Sequence, residues 1–173
     1  MYVEKPSLIS VIGAMYPDKQ VSSTDPESYA SIVWEVGDSV DEITLEADRL
    51  TYYRKLITNK IRDEANSERL SRYYAVLGTE DSEQIRTYEE KYTEASAYLV
   101  LNSTPTPIMN AETSHTGETV EYLAALVVAQ YDAAKAALKV MYGHIEGVRR
   151  SDITTVMTYN ITQLEAYNGP NWV

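Results

Sequence analysis

A chain of 173 residues makes one domain, or one domain with a small appendage, and buries a core without metal or disulfide staples. It has no cysteine and two histidines, His115 and His144, so disulfide frameworks and thiolate sites are excluded and little remains for a transition-metal site or a histidine base. A formal charge of −11 repels phosphate backbones and anionic headgroups, which makes nucleic acid and membrane poor partners.

The first element in the chain is "PSLISVIGAMYPD", where Leu8, Val11, Ile12 and Met15 share one helical face, Ser7 caps and Pro17 stops the turn. A short helix is expected. In "SYASIVWEVGD", Ala30, Ile32, Trp34 and Val36 alternate with more polar neighbours at strand period, and Gly37 and Asp38 turn the chain out. Its pairing partner is expected near residues 19–22 or 40–43, with the Leu8 helix as cover. Residues 1–43 then read as a small α+β cap.

From Thr44, a candidate cap, the period becomes helical and carries Leu50, Tyr53, Ile57, Ile61 and Ala65, then Leu70, Tyr73, Tyr74 and Leu77, up to Gly78. Asn66 and Ser67 are the candidate weak point. "GTEDSEQ" spaces Asp81 and Gln84 as a capping box and opens a second helix, whose stripe is Ile85, Tyr88, Tyr92, Ala95 and Leu99. It is expected to end near Leu101. Residues 102–118, broken by Pro105 and Pro107 and anchored only by Ile108 and Met109, read as a long loop.

A third helix starts between Thr116 and Thr119. Val120, Ala124, Val127, Tyr131, Ala134, Leu138, Met141 and Ile145, followed by Val148, recur three and four apart through four heptads, and Arg149 and Arg150 sit where cations favour a helix end. Gly143 and Gly147 fit either close backbone approach or fraying. The remainder, 151–173, reads as short helical turns around Ile153, Val156, Ile161 and Leu164 with a tail, "YNGPNWV".

The fold class expected is therefore mainly α: the small N-terminal cap, then residues 44–173 as a bundle of about three main helices with coiled-coil-like packing. The second helix is much shorter than the first and third, so part of each long stripe lacks a cover. Such a stripe is more often intramolecular core than an oligomer seam, but an uncovered one exposes more apolar area than a monomer tolerates. Either the terminal segments fold back over it or another subunit does. The eight residues from Val120 to Ile145 are the candidate interface, and 15 tyrosines against no phenylalanine suit half-wet contact surfaces.

Catalytic constellations fare poorly. His144 and Glu146 stand two apart on a helix and face different directions, and His115 has no acid placed to orient it. The acidic runs "GTEDSE" and "YEEKYTE" lack the alternating ligands and central glycine of an EF-hand, and neither a phosphate loop nor a serine elbow occurs. No enzyme and no cofactor is expected. No apolar run approaches the roughly 20 residues that span a bilayer, and the N-terminus carries an acid and a proline where a signal peptide carries basic residues. The expectation is a soluble, unexported chain.

"LISVIGAMYPD", "DPESYASIVWEV" and "EITLEADRL", carried by Tyr16, Pro17, Ile32, Trp34, Thr44, Leu45 and Glu46, resemble a pattern in small bacteriophage tail proteins of the XkdW-like kind. The helical remainder, in "EEKYTEASAYL", "GETVEYLAALVVAQYDAAKAAL" and "IEGVRRSDI", is similar to C-terminal regions of phage tail and tail-fibre proteins. The resemblance implies a structural virion protein of the tail or its fibres, made in the bacterial cytoplasm, with copies of itself (a trimer among the options) or other tail proteins as partners. The alternative it implies is a fibre-assembly chaperone that the finished virion does not retain.

Overall fold

The computed structural model describes residues 3–173; Met1 and Tyr2, the first two positions of the expected cap, lie outside the described residues. The chain is mainly α-helical, with a small α+β part at its N-terminal end. Helix α1 (Leu8–Met15) begins as its sequence requires: the Ser7 hydroxyl accepts from the Ser10 N–H at 3.2 Å, and Leu8, Val11 and Ile12 form the buried face. Strands β1 (Gln20–Ser23) and β2 (Ile32–Val36) pair antiparallel, Ser23 opposite Ile32 and Val21 opposite Trp34, with an irregularity beside Gln20. Of the two expected partners for the tryptophan strand, the earlier segment is the one used. Ala30 falls outside the strand, in a 3₁₀ turn at Tyr29–Ser31.

Helix α2 (Glu42–Leu77) and helix α5 (Val120–Val156), of 36 and 37 residues, are each about 55 Å long at the usual rise of about 1.5 Å per residue. Helix α3 (Ser82–Val100), with 19 residues, is about half that length. Asn66 and Ser67 do not interrupt α2. Nor does α5 end at its arginines: Arg149 and Arg150 turn back to Glu146, with Nε–Oε distances of 2.8 and 2.7 Å, instead of meeting terminal carbonyls, and six more helical residues follow. Gly143 and Gly147 lie inside that continuous helix. A Cβ placed on either would meet nothing within 4 Å, so neither glycine serves a close approach.

Three further expectations are corrected. Thr44 is not the cap of α2; Asp41 is, its carboxylate accepting from the Thr44 N–H at 3.0 Å and the Thr44 hydroxyl at 2.7 Å. Asp81 does cap α3 through the Glu83 N–H at 2.8 Å, but the box is not closed, because the Gln84 amide donates forward to the Tyr88 hydroxyl. Third, residues 102–118 are not a long loop, since they contain helix α4 (Pro107–Thr116). Pro107 stands at the helix start, where a missing N–H costs nothing. Gly117 closes the helix at φ 74°, a left-handed value that glycine adopts without steric penalty, and its N–H reaches the Thr113 carbonyl at 2.9 Å. The first free N–H groups find a partner on α3: the Glu94 carboxylate accepts from Ile108 at 3.1 Å and Met109 at 3.3 Å. Lys91 of α3 pairs with Glu112 of α4 beside it.

The chain divides into two compact units, residues 1–66 with 146–173, and residues 67–145; both long helices contribute to both. The expected cap of residues 1–43 falls within the first. There, one cluster joins Leu8, Val11, Ile12, Ile32 and Leu45, and a second joins Tyr53, Ile57 and Ile61 of α2 to Val156 of α5 and Leu164 of helix α6 (Ile161–Glu165). The long helices thus pack directly on each other. Helix α6 holds the capping box that the sequence reading missed: Asn160 and Gln163 exchange side-chain-to-backbone bonds of 2.9 and 3.0 Å. The second unit is held by a smaller cluster of Ala95, Met109, Leu123 and Ala124.

Candidate functional site

In the second unit the stripe of α5 divides into closed ends and an open middle. Ala124 and Ile145 are fully buried, and Val120 lies half-buried against the cluster that contains Ala124. Between them Val127, Tyr131, Ala134, Leu138 and Met141 are all only half-buried. The unequal helix lengths had placed the part short of cover at the helix ends, to be closed by the terminal segments or by another subunit; the half-buried part is the middle.

The open middle is one wall of a groove of about 480 Å³. Tyr131, Ala134, Leu138 and Tyr142 line it from α5, Tyr73 and Leu77 from α2, and Ile85 and Tyr88 from α3. A smaller recess of about 330 Å³ continues along Val76, Val127 and Gln130 and shares Tyr131 and Ala134 with it. Three-four spacing accounts for these positions, because side chains one turn apart project from the same strip of helix surface. Their bulk accounts for the space left open. Ala134, between Tyr131 and Leu138 on the α5 wall, is the smallest side chain of the lining.

Tyr131 is fixed from two directions. Its ring stacks on Tyr92 with centroids 4.0 Å apart and planes at 20°, and the Tyr92 hydroxyl donates to Asp132 at 3.2 Å. The Lys135 ammonium lies 5.7 Å from the centre of the same ring, at the outer range of a cation–π contact. Burial pushes the Tyr73 hydroxyl above its ordinary acidity constant, and the charge of Glu89 adds to the effect. At neutral pH the Tyr73 phenol is therefore uncharged beside the apolar lining of the groove. Two lysines, Lys135 and Lys139, and one acid, Glu89, complete the lining.

Of the eight expected interface residues, the groove and its recess bring together Val127, Tyr131, Ala134 and Leu138. Val120 and Ala124 belong to the closed cluster, and Met141 and Ile145 are not among the lining residues. The reading missed the opposite walls, Tyr73 and Leu77 with Ile85 and Tyr88. Their signal was present, since they occupy the apolar stripes of the first two long helices; periodicity alone does not say which stripe faces which.

The groups set aside as catalytic have structural partners. Glu146 is held by Arg149 and Arg150, whose hydrogen bonds, Arg149 first, depress its carboxyl to about 2. The His115 Nδ1 lies 2.9 Å from the Ala111 carbonyl within α4 and 3.0 Å from the Ser114 hydroxyl. Among the described residues no three His, Asp or Glu side chains are placed to hold one metal ion, and no helix is long and apolar enough to cross a membrane. Compared with models of known families, with curated proteins and with solved structures, the chain has no significant match.

Proposed function

We propose that this chain is a non-catalytic structural protein of a bacteriophage virion, in the tail or tail fibre, which works by packing its helices against copies of itself or a neighbouring tail protein. The observation that carries the assembly role is the open middle of α5, where an apolar groove lined by four tyrosines stands half-covered in a helical unit. Contact surfaces of this composition bury large rigid rings while their polar tips stay wet, which suits docking more than a sealed core. The assignment to a phage tail rests on the resemblance in residues 8–50 and in the three helical stretches that follow. The acidic surface adds support, since a charge of −11 disfavours nucleic acid and anionic lipid as partners.

On this reading the chain is made in the bacterial cytoplasm and carried into the particle. Quantitative mass spectrometry of purified virions tests it: the chain should be recovered at a fixed ratio to the other tail proteins. Its loss on particle purification, with abundance retained in the infected-cell lysate, would replace the virion role with that of a fibre-assembly chaperone.

A further inference from the structure

The second unit carries a projection as well as a groove. The last two residues of helix α3 and the residue after them are apolar with little cover: Leu99, Val100 and Leu101 are 47, 89 and 59% exposed. A run of exposed aliphatic side chains at a helix end has no role in the fold of its own chain and raises the cost of staying in water. Glu121 borders the same shallow depression as these three residues.

We infer that the Leu99–Leu101 projection of one copy seats in the Tyr131–Leu138 groove of a second copy, and that this contact is the self-association implied by the assembly role proposed above. Three observations lead there. The Leu99–Leu101 run is exposed and aliphatic, and the groove, of about 480 Å³, is lined mostly by apolar and aromatic side chains, so one supplies the anchor and the other the pocket of an ordinary interface centre. The charges match: two lysines against one acid line the groove of a chain that is otherwise strongly acidic, and a glutamate stands beside the projection.

The third observation is placement. Ile85 and Tyr88 at the groove and Leu99 at the projection belong to one three-four stripe of α3, about 21 Å apart along the helix. A two-fold axis passing beside α3 at the level of Tyr92 exchanges the two ends of the helix, so the projection of each copy lies level with the groove of the other. The same contact is made twice, as closed two-fold pairs require, and the pairing does not propagate into a filament.

The test is sedimentation equilibrium of the full chain over a concentration series, with a projection variant, Val100→Asp, and a groove variant, Ala134→Trp, alone and mixed. Val100 is almost wholly exposed, so its variant keeps the fold; circular dichroism checks the Ala134 variant. Lys139→Glu, on an exposed side chain of the groove, serves as a groove variant that leaves the contacts of Tyr131 in place. The wild type should dimerise, and each variant alone should raise the dissociation constant at least tenfold. Mixing a projection variant with a groove variant should restore a mixed dimer, because one intact projection then meets one intact groove. A monomer at every concentration, a stoichiometry other than two, indifference to Val100→Asp, or failure of the mixture to pair would each overturn the proposal. Recovery of the chain from virions is a separate readout, so a monomeric chain found in particles would end the self-pairing and leave the assembly role standing.

Discussion

Arg49 shows how much of the N-terminal structure depends on single side chains. It is buried on α2, its Nε donates to the Pro6 carbonyl at 2.7 Å, and its guanidinium meets Glu27 and Glu46. One cation thus ties the chain before α1 and the turn before β2 to the long helix. Tyr16 makes a second tie, since its hydroxyl donates to the carboxylate of Asp48, again on α2. That hydrogen bond, then burial, then the charges of Asp48 and Asp41, push the phenol up to about 12. The folded chain therefore holds this proton more tightly than the unfolded one, whose tyrosines ionise near their ordinary value of about 10. The stabilisation is complete below about pH 10 and is lost as pH rises from there through about 12. Tyr16→Phe removes it at every pH. Chemical denaturation at pH 8 and at pH 11 should show a larger midpoint difference between wild type and variant at pH 8; an equal difference at both would show that the proton is not coupled to folding.

Helix α4 depends on another element for its start. Thr106 makes no side-chain capping bond, and the first N–H groups go instead to Glu94 on α3. Glu94→Ala should leave them without their acceptor at a cost of about 1 to 2 kcal/mol, the scale of losing an N-cap. Hydrogen exchange should then accelerate across residues 107–116 while residues 45–61 stay protected; unchanged protection of α4 would show that Pro107 and Gly117 suffice. This dependence explains why the segment was not legible in the sequence. Its two prolines and its hydroxyl-rich composition read locally as loop, and the acid that begins the helix lies thirteen residues upstream on a different element. Some local contacts were legible and others, the Asp41 cap and the Asn160–Gln163 box, were not. The Ser7 cap, the Ile32–Trp34 strand and the Ile85-to-Leu99 and Val120-to-Ile145 stripes follow from spacing alone. The candidate groove was half legible, because the α5 stripe named one wall. Tyr73, Leu77, Ile85 and Tyr88 could be placed opposite only once the packing of α2 and α3 was known. The arginine pair at 149 and 150 failed for a related reason: Glu146, one turn before, satisfied both cations inside the helix and removed the signal for its end.

Across the whole molecule burial is uneven. Among the described residues eleven buried apolar side chains lie in the unit formed by residues 1–66 and 146–173, including Tyr53, Ile57, Ile61 and Leu164. Residues 67–145 contribute five, and two of those, Ala95 and Ala124, are alanines. Burying a large aliphatic or aromatic side chain contributes roughly 1.5 to 3 kcal/mol, and an alanine far less, so the two units differ by several such contributions. Local stability follows local burial, and surfaces that bind partners are drawn from the less stable part of a fold. Native-state hydrogen exchange should accordingly find amides in residues 127–142 and in α3 opening more readily than those in residues 45–61, by at least tenfold, or about 1.4 kcal/mol. The comparison within α5 is the sharper one, because its Val156 end packs into the core of the first unit while its Tyr131–Leu138 stretch faces the groove. Uniform protection along α5 would mean that the helix opens only as a whole, and the open groove would then cost the fold nothing. If protection rises selectively around Tyr131 as protein concentration is raised, occupancy of the groove supplies the missing burial, and the weakness of that stretch in the free chain is what leaves the surface available for docking.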